Sequence, residues 1–521
     1  MFEVVPSGYP IEMTDWFLTP EERGNPDTVI DRDGSWTEGN LVRPVIHGAT
    51  YFRRLYEELC VLRPGDRVYF TDWCGDGDER VGPDGPTIGD VLCDLARSGV
   101  EVRGLVWRSH SDHLQFNAQA NQRFGTELNE VGAEVLLDQR VRRLASHHQK
   151  LFVIRHRGAP TADVAFVGGI DLAHGRRDDE RHLGDPQPAP LDPDRYGSRG
   201  PWHDAAVELR GPVVGVLLRC FVERWDDPHP LDRRTPYRMW IQRREKMPRH
   251  PSKLPEEFPD PPEAGQHAVQ VLRTYAHKHP GFPFAPRGEY SVARAYQKAF
   301  GRARRLIYIE DQYLWSRLVA EGLCRALERA PELLLIVVVP RYPDADGRMT
   351  GPPNRYGQLQ AIRMLKAVAP DRVAIYDLEN SAGVPIYVHA KVCVVDDEWV
   401  TCGSDNFNRR SWTNDSELSC AITGDLARDF RLRLWSEHLA ADADDPGFLD
   451  PAVGFARWQR MAAALDDWHE GGRSGPRPPG QVRRHDPEPV SRLQSLWSAP
   501  LYRTLYDPDG RPRRMRRRNE F

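Results

Sequence analysis

Short apolar runs recur along the chain, separated by stretches whose apolar residues return every three or four positions. The most hydrophobic run is Leu333–Val339, which Pro340 ends and which is typical of a fully buried strand. The stretches between such runs, for example 116–132 and 426–440, show the period of amphipathic helices. Strands that alternate with helices at this spacing predict an α/β fold with partly parallel pairing.

The two halves of the chain repeat this order of elements. Each half opens with an apolar strand, continues with a helix, contains three further matching strands and closes with a helix; the second half also has the strand Leu333–Val339. The corresponding strands are 66–73 and 305–315, 147–154 and 388–397, 164–171 and 399–406, and 202–209 and 414–422. We therefore expect two similar domains, each a mixed β-sheet flanked by helices. Such a duplication normally places the copies around a pseudo-two-fold axis, so that corresponding residues meet at one cleft.

Proline-rich, charged segments predict where the domains begin and end. The expected division is an N-terminal segment 1–44, a first domain 45–230, a linker 231–265, a second domain 266–445, and an extension 446–521 with a basic tail. Within the second domain, residues 341–358 are predicted to form a long loop because they are rich in proline, glycine and charge.

Composition narrows the class of protein. Apolar residues make up 40% and charged residues 28%, which is ordinary for a globular protein. A net charge of −5 makes nucleic acid an improbable partner. The eight cysteines have no paired spacing, so neither a zinc site nor a disulfide scaffold is indicated, and no cofactor is expected. No secretory signal is visible and no apolar run approaches the ~20 residues that span a bilayer, so a cytoplasmic protein is predicted, with membrane contact limited to the periphery.

Each half carries a His-x-Lys motif at the start of an apolar strand. The pairs are His148 with Lys150, and His389 with Lys391. Residues i and i+2 of a strand project to the same face, so each pair can direct an imidazole and an ammonium group at one point. His147 should face the opposite way and lie outside that centre. One such pair would be a weak signal, but two in matching positions indicate a functional site.

A turn of small residues follows each motif. The first turn is 168–171, with the sequence GGID, and the second is 403–406, with the sequence GSDN. Glycine allows close approach of the backbone to a ligand, and the polar residues add hydrogen-bonding groups. The turns supply the candidate phosphate-binding residues Gly169, Asp171, Gly403, Ser404 and Asn406.

Two histidines and two lysines that converge on one site suit the cleavage of a phosphodiester. The lysines would neutralise the phosphate oxygens, one histidine would attack phosphorus, and the other would protonate the leaving alcohol. An attacking imidazole needs a carboxylate on its other ring nitrogen. Within the repeat, Asp204 is the expected partner of His148, and Glu417 or Asp415 that of His389. This chemistry requires no metal.

The second motif resembles the signature of the phospholipase D superfamily, H-x-K-x4-D followed by G-S-x-N. The matching residues are His389, Lys391, Asp396, Gly403, Ser404 and Asn406. HHQKLFVI with GGID resembles the first signature of the same superfamily. IYIEDQY and PWHD are similar to accessory segments of phosphatidyl-hydrolysing members. The resemblance extends over 45–230 and 265–440.

The resemblance implies two α/β domains with the active site between them and a covalent phosphohistidine intermediate. By this analogy His148 is the nucleophile and His389 the general acid. Lys150, Lys391 and Asn406 would bind phosphate, and the carboxylates of Asp204 and Glu417 would orient the two histidines.

Two positions depart from the usual pattern. Arg155 replaces the aspartate of the first motif, whereas Asp171 replaces asparagine in the first turn, as it does in phosphatidyl-hydrolysing relatives. Arg155 follows His148 by seven positions, a distance of ~23 Å along a straight strand. The aspartate of this motif, represented by Asp396 in the second copy, is therefore expected to be structural.

The superfamily resemblance leaves several substrates open, because fold does not fix substrate. A phospholipid head group is favoured, with a cardiolipin synthase-like phosphatidyltransferase as the alternative. A nuclease and a catalytically weak protein that binds phosphorylated ligands are further alternatives. No oligomeric state is predicted. The basic tail 511–521 is expected to be a solvated disordered segment, with binding of anionic lipid as the alternative.

Overall fold

The computed structural model describes residues 13–109, 118–189, 191–232, 236, 240, 248–344 and 351–521. The first two residues of the predicted helix 116–132 and most of the stretch 233–247 in the predicted linker therefore lie outside the described residues. The strands are β1 Thr37–Ile46, β2 Arg67–Asp72, β3 Glu101–Trp107, β4 Glu134–Asp138, β5 Leu151–Arg155, β6 Val164–Gly168, β7 Trp202–His203, β8 Ala205–Arg210, β9 His267–Tyr275, β10 Glu289–Tyr290, β11 Leu306–Glu310, β12 Leu334–Val338, β13 Val373–Glu379, β14 Pro385–Val388, β15 Val392–Val395, β16 Trp399–Gly403, β17 Glu417–Thr423 and β18 Val482–Arg484.

The described α-helices flank these strands. They are α1 Met13–Trp16, α2 Pro20–Arg23, α3 Gly48–Cys60, α4 Ile88–Ser98, α5 Ala118–Glu130, α6 Pro193–Tyr196, α7 Val213–Trp225, α8 Ser291–Arg302, α9 Arg317–Arg329, α10 Gly351–Val368, α11 Arg409–Thr413, α12 Asp425–His438, α13 Pro451–Glu470, α14 Arg492–Leu501 and α15 Arg513–Arg518. Helix α10 overlaps the predicted loop 341–358, so that prediction is wrong from Gly351 onward. Pro352 and Pro353 lie in the first turn of α10, where the missing N–H groups cost the helix no hydrogen bond.

The described part of each half builds a mixed sheet around the same order of seven strands, to which the second half adds β18 beside β13 and β10 beside β9. The first sheet runs β4-β3-β2-β5-β6-β8-β1, in which β2, β3 and β4 are parallel and the other neighbours antiparallel. The second sheet runs β13-β12-β11-β15-β16-β17-β9 with the same directions. Antiparallel pairing of β1 with β9 joins the two sheets. The prediction of two repeated α/β units is confirmed.

Helices cover both faces of each sheet. Helices α7 and α12 pack between the sheets in one apolar core that draws on both halves, with Phe221 and Trp435 fully buried in it. A second core lies between the first sheet and α3, α4 and α5, and a third between the second sheet and α8 and α9. Val, Ile and Leu on alternating faces of the central strands supply these cores, which is why both faces of the strands are apolar in sequence.

The strand ends of the two halves also pair with each other. Trp202 and His203 of β7 run parallel to Tyr387 and Val388 of β14. His147 forms the corresponding parallel bridge with Ser416. Each His-x-Lys segment is therefore held against the other half of the chain.

Asp396 has the structural role that was expected of it. Its carboxylate accepts hydrogen bonds from the backbone N–H groups of Arg304, Arg305 and Leu306, at 2.7, 2.8 and 2.8 Å. These groups lead into β11, so Asp396 ties the end of β15 to the start of its neighbour.

Arg155, at the equivalent end of β5, makes a different connection. Its Nε donates to Asp163 at 2.6 Å, and both side chains are almost fully buried. Its guanidinium also donates to the carbonyl of Pro259 at 2.6 Å. Arg155 therefore fastens β5 to the predicted linker and takes no part in the centre at the opposite end of that strand.

The C-terminal tail is ordered, so the prediction of a disordered segment is wrong. Helix α15 is followed by Phe521, whose ring packs at 6.2 Å from that of Trp412 and is buried. Arg294 donates to a Phe521 oxygen at 3.0 Å. The arginines of α15 nevertheless remain exposed. The predicted domain boundaries stay predictions, although β1 begins at Thr37 and pairs with β8 of the first sheet from Leu41 onward.

No helix in the described part of the chain is both long enough and apolar enough to cross a bilayer.

Replacement of Arg155 by methionine is expected to destabilise the fold rather than alter chemistry. Asp163 would remain buried without its cationic partner, which typically costs about 3–5 kcal/mol. Urea unfolding should show this loss, whereas the matched change Arg53→Met at an exposed position should not. Unchanged stability with reduced turnover would place Arg155 in the reaction site instead.

Candidate active site

The two His-x-Lys segments lie just ahead of β5 and β15, where the two halves of the chain meet. Lys150, His389 and Lys391 are buried, and the side chain of His148 retains 14% exposure. The backbone N–H of His148 donates to the carbonyl of Ser416 at 2.9 Å, and that of His389 donates to the carbonyl of His203 at 2.7 Å. Each histidine is thus positioned by backbone from the opposite half.

The carboxylate partners are also exchanged between the halves. His148 Nδ1 lies 2.8 Å from Glu417 Oε2, and His389 Nδ1 lies 2.7 Å from Asp204 Oδ2. The prediction that Asp204 serves His148 and that Glu417 or Asp415 serves His389 is therefore wrong. Asp415 accepts a hydrogen bond from the backbone N–H of Ser146 and pairs with Arg410 instead.

Strand order explains the exchange. Within the first sheet, β6 lies between β5 and β8, so the strand that follows Asp204 is two strands away from that of His148. Two inter-strand spacings amount to about 10 Å, which is beyond hydrogen-bonding reach. Pairing across the halves brings the acid of one copy directly beside the histidine of the other.

Each lysine Nζ donates to the carbonyl of the histidine two residues earlier, and Lys150 has a carboxylate partner as well. Lys150 Nζ lies 3.1 Å from Asp171 Oδ1, and Arg176 lies 3.6 Å from the other oxygen of that carboxylate. Lys391 Nζ donates to the carbonyl of His389. Asp171 therefore orients a lysine. Burial favours its neutral form, but Lys150 and Arg176 outweigh burial and hold the pKa of Asp171 below its usual value. A charged carboxylate repels phosphate, so Asp171 does not suit the phosphate-binding role that was predicted.

The predicted phosphate-binding glycines and Ser404 have no free donors either. The N–H of Gly169 donates to Ala205, that of Gly403 to Lys391 and that of Ser404 to Leu418. The Ser404 hydroxyl donates to Glu417 at 2.5 Å. These residues are small for packing reasons: a Cβ at Gly169 would lie 2.2 Å from an Asp204 oxygen, and one at Gly403 would lie 1.9 Å from Ser419 Oγ. Gly169 and Ser404 thus support Asp204 and Glu417, and Gly403 makes room for Ser419. Their engaged N–H groups do not suit the predicted role as phosphate ligands.

Asn406 differs from the rest of the two turns. Its side chain is buried, and its Oδ1 has no hydrogen-bond partner among the described residues. A phosphate oxygen needs a hydrogen-bond donor, so the predicted role of Asn406 as a phosphate ligand would fall to its Nδ2 and stays a prediction.

Both imidazoles are neutral in the free protein. Burial, Lys150 and Lys391 hold the pKa of His148 well below its usual range. Burial and Lys391 lower the pKa of His389 to about 3. Because Lys391 influences both rings, the two halves share one electrostatic environment. That environment suits a bound anion, which would offset the lysine charges.

The two carboxyl groups differ in charge. Burial and the neighbouring Asp415 raise the pKa of Glu417 to about 8. Burial acts in the same direction on Asp204, but His389 and Lys391 outweigh it and hold the pKa of Asp204 below its usual value. At neutral pH Asp204 is therefore a carboxylate, whereas Glu417 retains a proton.

Three further residues belong to the site and were not singled out from sequence. Trp202 donates from Nε1 to Asp204 at 3.2 Å and packs its ring 4.9 Å from that of His389. Arg176 lies over the Trp202 ring at 4.0 Å. Trp73 meets His148 edge to face, with ring centroids 6.3 Å apart. The PWHD segment was the available signal for Trp202; Arg176 follows the GGID turn without any pattern of its own.

His147 lies outside this centre. It is fully buried, and neither ring nitrogen has a hydrogen-bond partner among the described residues. Burial and Arg224 hold its pKa well below the usual range, so it is a neutral core residue.

Comparison with known families agrees with this arrangement. A family profile described as "Phospholipase D" matches residues 77–318, and one described as "Cardiolipin synthase, PLD-like domain" matches residues 297–434. Together the two profiles cover both His-x-Lys motifs and both carboxylates.

Individual relatives are plant proteins. Phospholipase D alpha 2 of Oryza sativa subsp. japonica is 27% identical over 76% of this chain and 62% of its own length. Phospholipase D alpha 1 of the same plant is 26% identical over 68% of this chain and 58% of its own length. The chain thus spans roughly three fifths of the curated relatives that it matches first.

Among solved structures, phosphatidylserine synthase of Haemophilus influenzae Rd KW20 aligns with a TM-score of 0.49 and 14% identity. The alignment covers 76% of this chain and 85% of that protein. From the two family profiles and the plant relatives, the chain belongs to the phospholipase D superfamily.

Proposed function

We propose that the protein is a phosphodiesterase of the phospholipase D type, which cleaves or transfers the head group of a phospholipid through a phosphohistidine intermediate. The observation that carries the proposal is the pair of imidazoles, each held at Nδ1 by a buried carboxyl group of the other half. With Nδ1 bound to the carboxyl group, Nε2 of each ring is left to react with a phosphate held between the two lysines.

In the first step, Nε2 of His148 attacks phosphorus while the bond from phosphorus to the leaving alcohol breaks. Nε2–H of His389 gives its proton to the departing oxygen. Lys150, Lys391 and Asn406 hold the non-bridging oxygens and stabilise their developing charge. An anion between the lysines offsets the repulsion that otherwise keeps His389 neutral, so the bound substrate itself favours the imidazolium.

In the second step, the neutral His389 takes a proton from water, and the water oxygen attacks phosphorus. The phosphorus–nitrogen bond breaks, which releases phosphatidate and restores His148. An alcohol in place of water gives head-group transfer by the same route. Both outcomes use the same residues, so the geometry serves hydrolase and phosphatidyltransferase alike.

A phospholipid is favoured over a nucleic acid for two reasons. The similar plant proteins carry the name phospholipase D, and the net charge of −5 opposes binding of a polyanion. Release of choline or glycerol from phosphatidylcholine, phosphatidylglycerol or cardiolipin supports the proposal if it disappears in His148→Ala. Nicking of single-stranded DNA without lipid turnover would support a nuclease, and turnover of neither would support a binding protein.

A diester with a p-nitrophenol leaving group should separate the roles of the two histidines. That leaving group needs little protonation, so His389→Ala should still release one equivalent rapidly and then stall, because no base activates water. Mass spectrometry should find the phosphoryl adduct on His148. Turnover of ordinary lipids should fall by about 10²–10⁴-fold in the same variant.

His148→Ala is the matched control and should show neither burst nor adduct. An adduct on His389 in that variant would reverse the assignment of the two roles.

The pH dependence of kcat/KM should be a bell centred near pH 8. On the acid side, Glu417 must lose its proton so that Nδ1–H of His148 has an acceptor and Nε2 becomes free; burial places that pKa at about 8. On the alkaline side, Lys391 loses the charge that binds phosphate, because burial and Lys150 lower its pKa to about 8.

Each limb should respond to one substitution. Lys391→Arg should remove the alkaline limb, since arginine stays charged. Glu417→Gln should remove the acid limb and lower the plateau. An alkaline limb that persists in Lys391→Arg would contradict the assignment.

Exposed apolar and basic residues support contact with a membrane surface beside this site. Leu493 and Leu496 are 78% and 74% exposed on α14, and α15 exposes five arginines. Arg410 links this region to the site, because it donates to the carbonyl of Leu505 at 3.0 Å and pairs with Asp415 at 2.6 Å. Leucines that enter the interface and arginines that attract anionic head groups act together.

The double substitution Leu493→Glu and Leu496→Glu should weaken binding to vesicles of phosphatidylcholine and phosphatidylglycerol by about tenfold or more. Hydrolysis of a soluble short-chain phospholipid should stay unchanged. Leu449→Glu, at a position 58% exposed elsewhere, is the matched control. Equal losses in both variants would place the membrane contact elsewhere.

A further inference from the structure

Behind the candidate active site, three histidines and a glutamate from distant parts of the sequence converge. They are His47, between β1 and α3; His182, in the loop after β6; His203, in β7; and Glu437, in α12. One potential ligand atom from each lies within 4.8 Å of the others. The sequence shows no metal-binding motif here because these four positions share no local spacing.

The three imidazoles surround one point. Their ring centroids lie 5.1, 5.5 and 5.5 Å apart, and the ring planes are inclined by 66–75° to one another. The Glu437 carboxylate closes the fourth side: His47 Nε2 and His182 Nε2 lie 2.8 and 2.9 Å from its oxygens. Three nitrogens and one oxygen around a centre are the donor set of a tetrahedral metal site.

One ligand atom of this set has nothing else to bind. His203 is fully buried, and its Nδ1 has no hydrogen-bond partner among the described residues. It lies 3.9 Å from Glu437 Oε1, too far for a hydrogen bond but suitable for two ligands of one ion. A buried, unsatisfied nitrogen that faces a carboxylate costs stability unless something occupies the space between them.

In two of the three rings, the nitrogen that faces away from Glu437 has a hydrogen-bond partner of the kind that usually supports a metal-binding histidine. His203 Nε2 lies 2.7 Å from Glu310, and His182 Nδ1 lies 3.1 Å from the carbonyl of Trp202. Such contacts fix the tautomer and turn the remaining nitrogen toward the ion. The backbones of His47 and His182 also have positive φ, 70° and 50°, which is a strained conformation in residues with a Cβ.

A neighbouring group of His203, Glu310 and His438 differs in its carboxylate. Both oxygens of Glu310 are engaged, one by His203 and the other by His438 and Tyr308. His438 Nδ1 has no hydrogen-bond partner among the described residues, but the Glu310 carboxylate has no oxygen left for an ion, so this group holds His203 from outside the first cluster.

We propose that His47, His182, His203 and Glu437 bind one divalent transition-metal ion, with Zn²⁺ the best match. Imidazole nitrogen suits zinc and its neighbours, whereas Ca²⁺ and Mg²⁺ prefer oxygen. The Glu437 side chain is 15% exposed, which gives the ion a route from solvent. The proposal is independent of the proposed function, since it concerns a site outside the reaction centre.

The ion would hold residues of the active site in position. His203 directly precedes Asp204, the partner of His389, and its carbonyl accepts the His389 N–H. Three ligands come from the first half of the chain and Glu437 from the second, so the metal would clamp the two halves beside the exchanged histidine–carboxylate pairs.

The test uses the full-length chain, stripped with a chelator and titrated with Zn²⁺ and with Co²⁺. We expect one ion per chain by elemental analysis, a rise in the unfolding temperature on adding Zn²⁺, and the visible absorption of tetrahedral Co²⁺. His182→Gln should weaken zinc binding by about 10–100-fold or more. His469→Gln, in another histidine–glutamate pair with Glu379 at 2.8 Å, is the matched control and should bind normally.

Two results would overturn the proposal. One is the absence of stoichiometric metal together with an unfolding temperature that neither chelator nor Zn²⁺ changes, which would make the cluster a network of ion pairs. The other is equal affinity in His182→Gln and the parent chain. The metal content and the Co²⁺ spectrum are measured on the parent chain, so the proposal is still tested if His182→Gln fails to fold.

Discussion

The hydrogen bond between an imidazole of one half and a carboxyl group of the other is the constraint on which the rest of the site depends. His148 with Glu417 and His389 with Asp204 fix the tautomer of each ring and the registration of the two halves at the same time. The parallel strand-end pairs beside them, and the burial of α7 and α12 in a common core, hold the halves in the only relation that completes both pairs.

Local pattern was sufficient for much of the fold. Apolar runs with strand spacing, amphipathic helices and the repeated order of both predicted the two mixed sheets, and β-branched residues buried on both faces made these signals strong. The loop predicted at 341–358 failed where it became α10, because prolines in the first turn of a helix look the same in sequence as prolines in a loop. The ordered tail was missed because its anchor, Phe521 against Trp412, is a contact between residues far apart in the chain.

The candidate site was predictable in its residues but not in its connections. The repeat identified His148, Lys150, His389 and Lys391, since i and i+2 spacing is a local property. Which carboxylate meets which histidine depends on strand order, and that order places an intervening strand inside each half. The turns were misjudged for a related reason: their N–H groups complete the sheets, and their small side chains make room for Asp204 and Ser419.

The exchange of carboxylates has a consequence for how the duplicated chain can change. Neither copy contains a complete histidine–acid pair, so a substitution that loosens the contact between copies damages both pairs together. The duplication therefore supplied no spare centre that could drift toward a new activity while the other preserved the old one.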